Sequence, residues 1–286
     1  MTPVGLFERW LARRARPDAA AIAATSGLNP AVVVIGGSAG IGLAIAQRFA
    51  SAGHVVAIVG RDPDKLAAAV ATLAAAPGRP IHSIALDVTD LSATRALDEA
   101  LGAASLYADI VVLSAGTGLS GPFLAEEPET IDALLRLNVA ATSRLLRHYS
   151  AQLVARGRGG IITIASLGGF VPGPYQAAYY ASKAFQVSLS LALAEELSGQ
   201  GVRVAVVAPG PVDTSFHAAM EADGALYRRL LPSMSPEAVA ASVYRGYRFG
   251  NRLIVPGLLN WAVARMSGLI PHRLMVMLVA KLLWPG

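Results

Sequence analysis

From Ala31 to Gly257 the chain alternates short β-branched apolar runs with longer stretches rich in Ala and Leu, and this alternation constrains the fold more than any other feature. The runs AVVVIG (31–36), HVVAIVG (54–60), IHSIAL (81–86), DIVVLSAG (109–116), GIITIAS (160–166), VRVAVVAPG (202–210) and RLIVPG (252–257) have strand length, and most lack in/out alternation. Strands buried on both faces have this character. The intervening stretches, such as GLAIAQRFASAG and DPDKLAAAVATLAAAPG, have helical length; Asp62 is placed to cap the second and Pro63 falls in its first turn. Repeated strand–helix–strand units with right-handed crossovers predict an α/β fold: a doubly wound parallel sheet of about seven strands with helices on both faces. No Pro- or Ser-rich linker interrupts residues 31–257, so they form one domain, with an extension at 1–30 and a tail at 258–286.

Such a sheet binds ligands beyond the carboxyl ends of its strands, near the point where strand order reverses. After the first strand the sequence reads IGGSAGIGLAIA, which places Gly36, Gly40 and Gly42 between a strand and a helix, with Ser38 and Ile41 among them. Glycines there permit a tight turn and close backbone approach to a pyrophosphate, and the following helix offers its free N–H groups. A P-loop is excluded because no Gly-Lys-Ser/Thr follows. The second strand ends at Gly60 and is followed by Arg61, where a carboxylate would favour NAD. A guanidinium suits a 2′-phosphate, which favours NADP(H) over NAD(H). In the other reading Arg61 is a solvated loop residue and Asp62 serves the ribose; Asp62 is better explained as the helix cap.

Composition removes several function classes. The chain has no cysteine, which excludes disulfides and thiolate catalysis and fits a cytoplasmic location. Its histidines, at 54, 82, 148, 217 and 272, lack metal-ligand spacing, so no metal is expected. The net charge of +5 is concentrated near the two ends, at Arg9, Arg13, Arg14 and Arg16 and at Arg265, His272, Arg273 and Lys281. That pattern points to anionic surfaces and not to nucleic acid.

Together these motifs resemble the short-chain dehydrogenases/reductases, whose fold is Rossmann-like. The resemblance rests on the glycine turn, DVTD at 87–90, Asn138 in RLNVAAT, Ser166 in TIASLGG, Tyr179-xxx-Lys183 and PGPVDT at 209–214, in the family's order across about 31–257. Ser166 precedes Tyr179 by the family's usual thirteen residues. The resemblance implies that cofactor contacts involve Gly36, Ser38, Gly40, Ile41, Gly42, Arg61, Asp87, Val88, Ala115, Gly116, Tyr179, Lys183, Pro209, Gly210, Val212 and Thr214. It implies catalytic roles for Ser166, Tyr179, Lys183 and Asn138. Lys183 would also hold the nicotinamide ribose, Ser166 would hydrogen-bond the substrate oxygen, and Asn138 would continue a proton relay through water.

Helical phase singles out Tyr179 within YQAAYYASK (175–183). Residues four apart share a helix face, whereas Tyr180 points about a quarter-turn away and Tyr175 precedes the helix. A phenol with an ordinary pKa of about 10 is a poor base near neutrality, and a neighbouring ammonium favours the phenolate. Each of these residues also has a plain reading as packing, turn former or solvated side chain. Asn138 is the hardest to dismiss, because asparagine inside IDALLRLNVAATSRLL disfavours helix and needs a reason.

Two positions depart from the family pattern. Ile35 stands where Thr is usual, and Leu113-Ser114-Ala115-Gly116 stands for Asn-Asn-Ala-Gly. If the missing polar groups normally tie neighbouring strand ends together, their joint loss leaves an apolar contact with no orphaned partner.

The substrate is less legible. In SFHAAMEADGALYRRLLPSMSP (215–236), the side chains Phe216, Met220, Leu226, Leu230 and Leu231, with Phe170 and Pro172, can line an apolar pocket or form the loop's own core. LFERWLARRARP, with Leu6, Phe7, Trp10 and Leu11 on one side, reads as a short helix lying on the protein's own surface, a sister subunit or a membrane. The apolar tail, broken by Arg265, Pro271, His272, Arg273 and Lys281, is too interrupted to span a bilayer. It can cap the pocket, cover a subunit interface or make peripheral membrane contact. The function expected is NADP(H)-dependent oxidation or reduction of a lipophilic alcohol or carbonyl compound, in a homodimer or homotetramer. The alternative is a dinucleotide-binding sensor or scaffold without turnover.

Overall fold

Seven strands pair in the order β3-β2-β1-β4-β5-β6-β7, every neighbour parallel: β1 (Asn29–Ile35), β2 (Val55–Gly60), β3 (Ile81–Ala85), β4 (Leu106–Leu113), β5 (Gly160–Ile164), β6 (Arg203–Val207) and β7 (Leu253–Ile254). The structure is a computed structural model that describes residues 10–74, 80–216, 220 and 233–284. The order reverses between β1 and β4, which sets the crevice of a doubly wound sheet at the carboxyl ends of these two strands.

Helices α1 (Ala19–Ala23), α2 (Gly40–Ser51), α3 (Pro63–Ala74), α4 (Ala93–Ala103), α5 (Pro128–Leu135), α6 (Thr142–Arg156), α7 (Ala177–Glu196) and α8 (Pro236–Arg248) connect the strands or flank them. Alternate residues of β1 serve different faces. Val32 and Val34 pack with Ile45 and Phe49 of α2, Leu66 of α3 and Val243 of α8. Ala31, Val33 and Ile35 pack with Leu97 of α4, Leu146 and Leu153 of α6 and Ala194 of α7. Both faces are covered, which is why the strand sequences show no polar alternation. Full burial of each Val or Ile contributes roughly 1.5–3 kcal/mol. Asp62 caps α3, its Oδ1 accepting from the N–H groups of Asp64 (3.0 Å) and Lys65 (3.1 Å).

Between α5 and α6 the backbone makes one π-helical turn, Arg136–Ala141, around the asparagine that disturbs the helical pattern. Ile35 and Leu113, the two departures from the family pattern, are direct cross-strand partners, both buried in one apolar cluster. The expected apolar replacement is therefore a physical contact.

The chain's described ends lie at opposite ends of the sheet. Residues 10–16 dock where β5 and β6 begin. There Gly201 N–H donates to the Leu11 carbonyl (2.7 Å), Arg14 N–H donates to that of Gly199 (2.7 Å), and Leu11 is buried. Leu6, Phe7 and Arg9 fall outside the described residues, so of the expected amphipathic helix only its end, at Trp10 and Leu11, is described. The tail folds into α9 (Leu258–Met266) and α10 (His272–Leu283), with Pro271 before α10 as the sequence suggests. Met275, Val279 and Leu283 of α10 pack on Val171, Tyr175, Tyr180 and Ile270, beyond the carboxyl end of β5. Among the described residues no helix is long and apolar enough to cross a membrane.

Candidate active site

A dinucleotide cradle lies at the crevice. Gly36 turns with φ 81°, and a side chain there would run into the backbone of Ala115; one at Gly42 would run into the Gly36 carbonyl. The turn therefore closes on itself and on the segment after β4, a packing only glycine allows. Gly40 (φ 55°) opens α2 opposite Thr214, whose methyl carbon would be 3.2 Å from a Cβ placed there, so the loop after β6 comes over the turn. Ala39 supplies no side-chain cap, which leaves the first N–H groups of α2 available to an anion. Ile41 packs into the core below. The residues present fit a bound dinucleotide: the uncapped first turn of α2 offers the N–H donors its phosphates need.

The rim at β2 and β3 holds the groups expected at the adenosine end. A Cβ at Gly60 would be 3.4 Å from the Ser38 hydroxyl, so Ser38 stands over the end of β2 beside Arg61. Arg61 Nη1 lies 3.7 Å from Asp87 Oδ2, while Asp87 Oδ1 accepts from the Thr89 N–H (2.8 Å) and hydroxyl (2.7 Å). Partial burial works to raise the Asp87 pKa, but the two Thr89 bonds and the Arg61 charge outweigh it and hold the carboxyl below its usual range. Val88 is buried below, and the Thr89 carbonyl accepts from Arg144 (2.8 Å). After β6, the Pro209 carbonyl accepts from Leu167 N–H (2.8 Å), Gly210 lies against Asn260 of α9, and Val212 bridges to Met234.

The polar cluster stands at the carboxyl ends of β4 and β5. Asn138 is fully buried; its Oδ1 accepts from Thr117 N–H (3.0 Å), and its Nδ2 donates to the Thr117 carbonyl (2.8 Å) and the Ser182 hydroxyl (3.0 Å). These bonds supply the reason an asparagine inside a helix requires. Lys183 Nζ donates to the Ile164 carbonyl (3.1 Å) and to Gln186 Oε1 (3.0 Å), and lies 5.7 Å from the centroid of the Tyr179 ring. A side chain at Gly116 would be 3.3 Å from Asn138 Oδ1 and 3.4 Å from Lys183 Nζ, so Ala115-Gly116 passes directly over both. Burial pushes the Lys183 ammonium down to about 8. Ser166 Oγ accepts from Gly168 N–H (3.1 Å), which occupies one lone pair and leaves the hydroxyl hydrogen free to donate outward.

Sequence reasoning missed Gln186. Its Nε2 donates to the Asn138 main-chain carbonyl (2.9 Å) and lies 3.4 Å from Thr142 Oγ1, while its Oε1 accepts a hydrogen bond from Lys183 Nζ (3.0 Å). This side chain joins the lysine to Asn138 without an intervening group. The available signal was its phase: Tyr179, Lys183, Gln186 and Ser190 lie three or four apart, a polar line along one face of the helix.

Apolar side chains face the tyrosine. Leu134 and Met220 are buried with Tyr179, and Leu119, Tyr180 and Phe216 pack against them; the Phe216 ring centroid is 5.8 Å from that of Tyr179. Met220 fills the space over Gly118. Phe170 instead packs on Ala165, Val187 and Val206, and Pro172 is exposed. Leu226, Leu230 and Leu231 fall outside the described residues. Tyr175 adopts the left-handed region (φ 65°), which an aromatic residue rarely occupies. It is held by Gly121 N–H on its carbonyl (2.7 Å) and by edge-on contact with Trp284 at 4.9 Å. The described residues contain no group of three or more His, Cys, Asp or Glu that could hold a metal ion.

The sequence profile of the short chain dehydrogenases matches residues 30–224. A short chain dehydrogenase of Pseudocercospora fijiensis is 34% identical over 189 residues, which are 65% of this chain; the chain spans 60% of that relative's length. The 1-deoxy-11-beta-hydroxypentalenate dehydrogenase of Streptomyces exfoliatus is 36% identical over 189 residues, covering 64% of this chain and 68% of the relative. Among solved structures, a short-chain dehydrogenase from Sphingobium yanoikuyae in complex with NADPH superposes with TM-score 0.72 at 29% identity, covering 85% of this chain and 96% of the other.

Proposed function

The chain belongs to the short-chain dehydrogenase/reductase family, and we propose that it is an NADP(H)-dependent oxidoreductase acting on a lipophilic carbonyl compound or secondary alcohol. The observation that carries this reading is the cluster of Tyr179, Lys183 and Asn138 at the carboxyl ends of β4 and β5, directly behind Ala115-Gly116 and beside the glycine cradle.

Bound NADP(H) would supply or accept the hydride at the substrate carbon, and the residues of the chain do the rest. Ser166 donates its free hydroxyl hydrogen to the substrate oxygen and fixes it. In reduction Tyr179 gives that oxygen its proton; in oxidation it takes the proton back. The Lys183 ammonium, charged below about pH 8, favours the phenolate of Tyr179 and so eases proton loss from it. Gln186 and the Ile164 carbonyl hold two of the ammonium's three hydrogens and leave one for the ribose or the tyrosine side. Ser38 and Arg61 suit a 2′-phosphate; the NADPH complex of the Sphingobium relative supports the same choice. The apolar wall of Leu119, Phe216 and Met220 around Tyr179 supports a lipophilic substrate.

The test is turnover of a carbonyl and alcohol panel with NADPH and NADH, in both directions, by wild type and Tyr179→Phe. The expected result is activity with wild type, a loss of at least about a thousand-fold in kcat for the variant, and unchanged NADPH binding. NADPH binding without turnover by wild type on sterol, terpenoid and aromatic panels would favour a dinucleotide-binding sensor instead.

A further inference from the structure

One surface is explained neither by the cradle nor by Tyr179. Among the described residues, ten of the eighteen exposed large apolar side chains lie within 258–284, on α9, α10, the turn between them and the residue that follows α10. Leu258 and Leu269 are more than four-fifths exposed, and Leu274, Met277 and Leu278 project from the side of α10 away from its buried stripe. A folded chain seldom leaves so much apolar surface in one place unless something covers it. The same segment carries Arg265, His272, Arg273 and Lys281, all exposed, and contains no Asp or Glu.

We propose that the exposed face of α9 and α10 docks on the surface of a bilayer containing anionic phospholipid. Both helices would lie in the plane of the membrane, their apolar side chains at the acyl boundary and Arg265, Arg273 and Lys281 among the headgroup phosphates. Apolar immersion and attraction of cations to anionic lipid are the two components of interfacial binding, and long basic side chains can reach up from an apolar plane. The twelve residues of α10 reach only about 18 Å, far short of a hydrocarbon core of about 30 Å, so the helix lies on the membrane and does not cross it. A second copy of this chain is a poor occupant. A two-fold contact through this face would bring two acid-free basic surfaces together with no carboxylate on the segment to answer them.

The placement gives the docking a consequence. The buried stripe of α10 lies on Val171, Tyr175 and Tyr180, and α9 sets Asn260 against Gly210, so the docked helices border both the rim of the site and the cofactor loop. A substrate dissolved in the bilayer would then reach Tyr179 along a short apolar path. This last step rests on the oxidoreductase reading; the docking does not. Arg13, Arg14 and Arg16 sit at the other end of the sheet and do not share the plane.

Co-sedimentation of the full chain with phosphatidylcholine vesicles, with and without phosphatidylglycerol, tests the proposal. Binding to the anionic vesicles is expected to be on the order of a hundred-fold tighter at low salt, and to weaken several-fold at physiological ionic strength. The combined variant Leu269→Ser, Leu274→Ser, Met277→Ser and, separately, Arg265→Glu, Arg273→Glu, Lys281→Glu should each lose at least about ten-fold, with NADPH affinity and melting temperature retained. Three results would overturn it: no binding to either vesicle, equal binding to both, or undiminished binding by the charge-reversed variant. Conversion of a wild-type dimer to monomer by the serine variant, seen in sedimentation equilibrium, would also do so, by identifying a second copy as the occupant. Tyr179→Phe should bind vesicles like wild type, so an inactive enzyme and a non-docking enzyme remain distinguishable.

Discussion

Lys183 places a buried cation in the candidate site. It is 5% exposed, and burial brings its pKa from 10.5 to about 8. A depressed ammonium is a cost to folding at neutral pH, and the cost is relieved as pH rises. Between about 8 and 10.5 the unfolded chain holds the proton the folded chain has released, so stability increases with pH across that window. Urea unfolding of the cofactor-free protein should show wild type gaining on the order of 3 kcal/mol between pH 7.5 and 10.5 relative to Lys183→Met; equal slopes would refute the assignment. Gln186 offers a second test. Gln186→Leu removes the link to the Asn138 carbonyl and leaves a buried ammonium short of an acceptor. It should lower kcat by about ten- to a hundred-fold and move the basic limb of the pH–rate profile downward, whereas a packing defect alone would leave the profile in place. That Tyr179 and Lys183 share one face of α7 was legible because helical phase is a local property. The phase of Gln186 was equally open to reading, but the bond it makes was not, because its partner carbonyl lies 48 residues away and main-chain acceptors leave no trace in a side-chain pattern.

At the scale of elements, all seven strands were legible, since burial on both faces writes itself into the composition of each run. The π-helical turn was legible only as a misfit: the sequence shows that Asn138 is costly in a helix but not that the backbone widens there to seat it against Thr117. The Ile35–Leu113 pair joins β1 to β4 at the crevice by apolar contact. Ile35→Thr would bury a hydroxyl opposite leucine and should destabilise the protein by about 1–3 kcal/mol, read as a fall in urea midpoint at constant slope; a clear rise would mean that a polar partner is waiting. At the end of β2, Arg61→Ala should raise KM for NADPH by roughly ten-fold and leave KM for NADH nearly unchanged, the signature of a lost phosphate contact.

Over the whole molecule, the sheet separates the two described ends of the chain: residues 10–16 brace the start of β6, and the tail packs beside the rim of the site. The sequence showed that the tail was apolar and interrupted but not that one stripe of it would be buried or what that stripe would meet, because Val171 and Tyr175 lie about a hundred residues upstream and only the fold brings them together. Truncation after Gly257 should therefore act on the site as well as on stability. It uncovers the rim and frees Tyr175 from a backbone conformation that costs roughly 1–3 kcal/mol to hold. A lower melting temperature accompanied by a higher KM is the expected outcome, and a change in melting temperature alone would mean that the tail only packs. The contact of Trp284 with Tyr175 has a further, optical consequence. Of the three tryptophans, Trp261 and Trp284 both stand in the tail and only Trp10 is remote, so the tryptophan emission of a Trp10→Phe protein would come solely from the segment that borders the site. That tryptophan signal would report, without any attached label, each time that border is wetted, covered or disturbed.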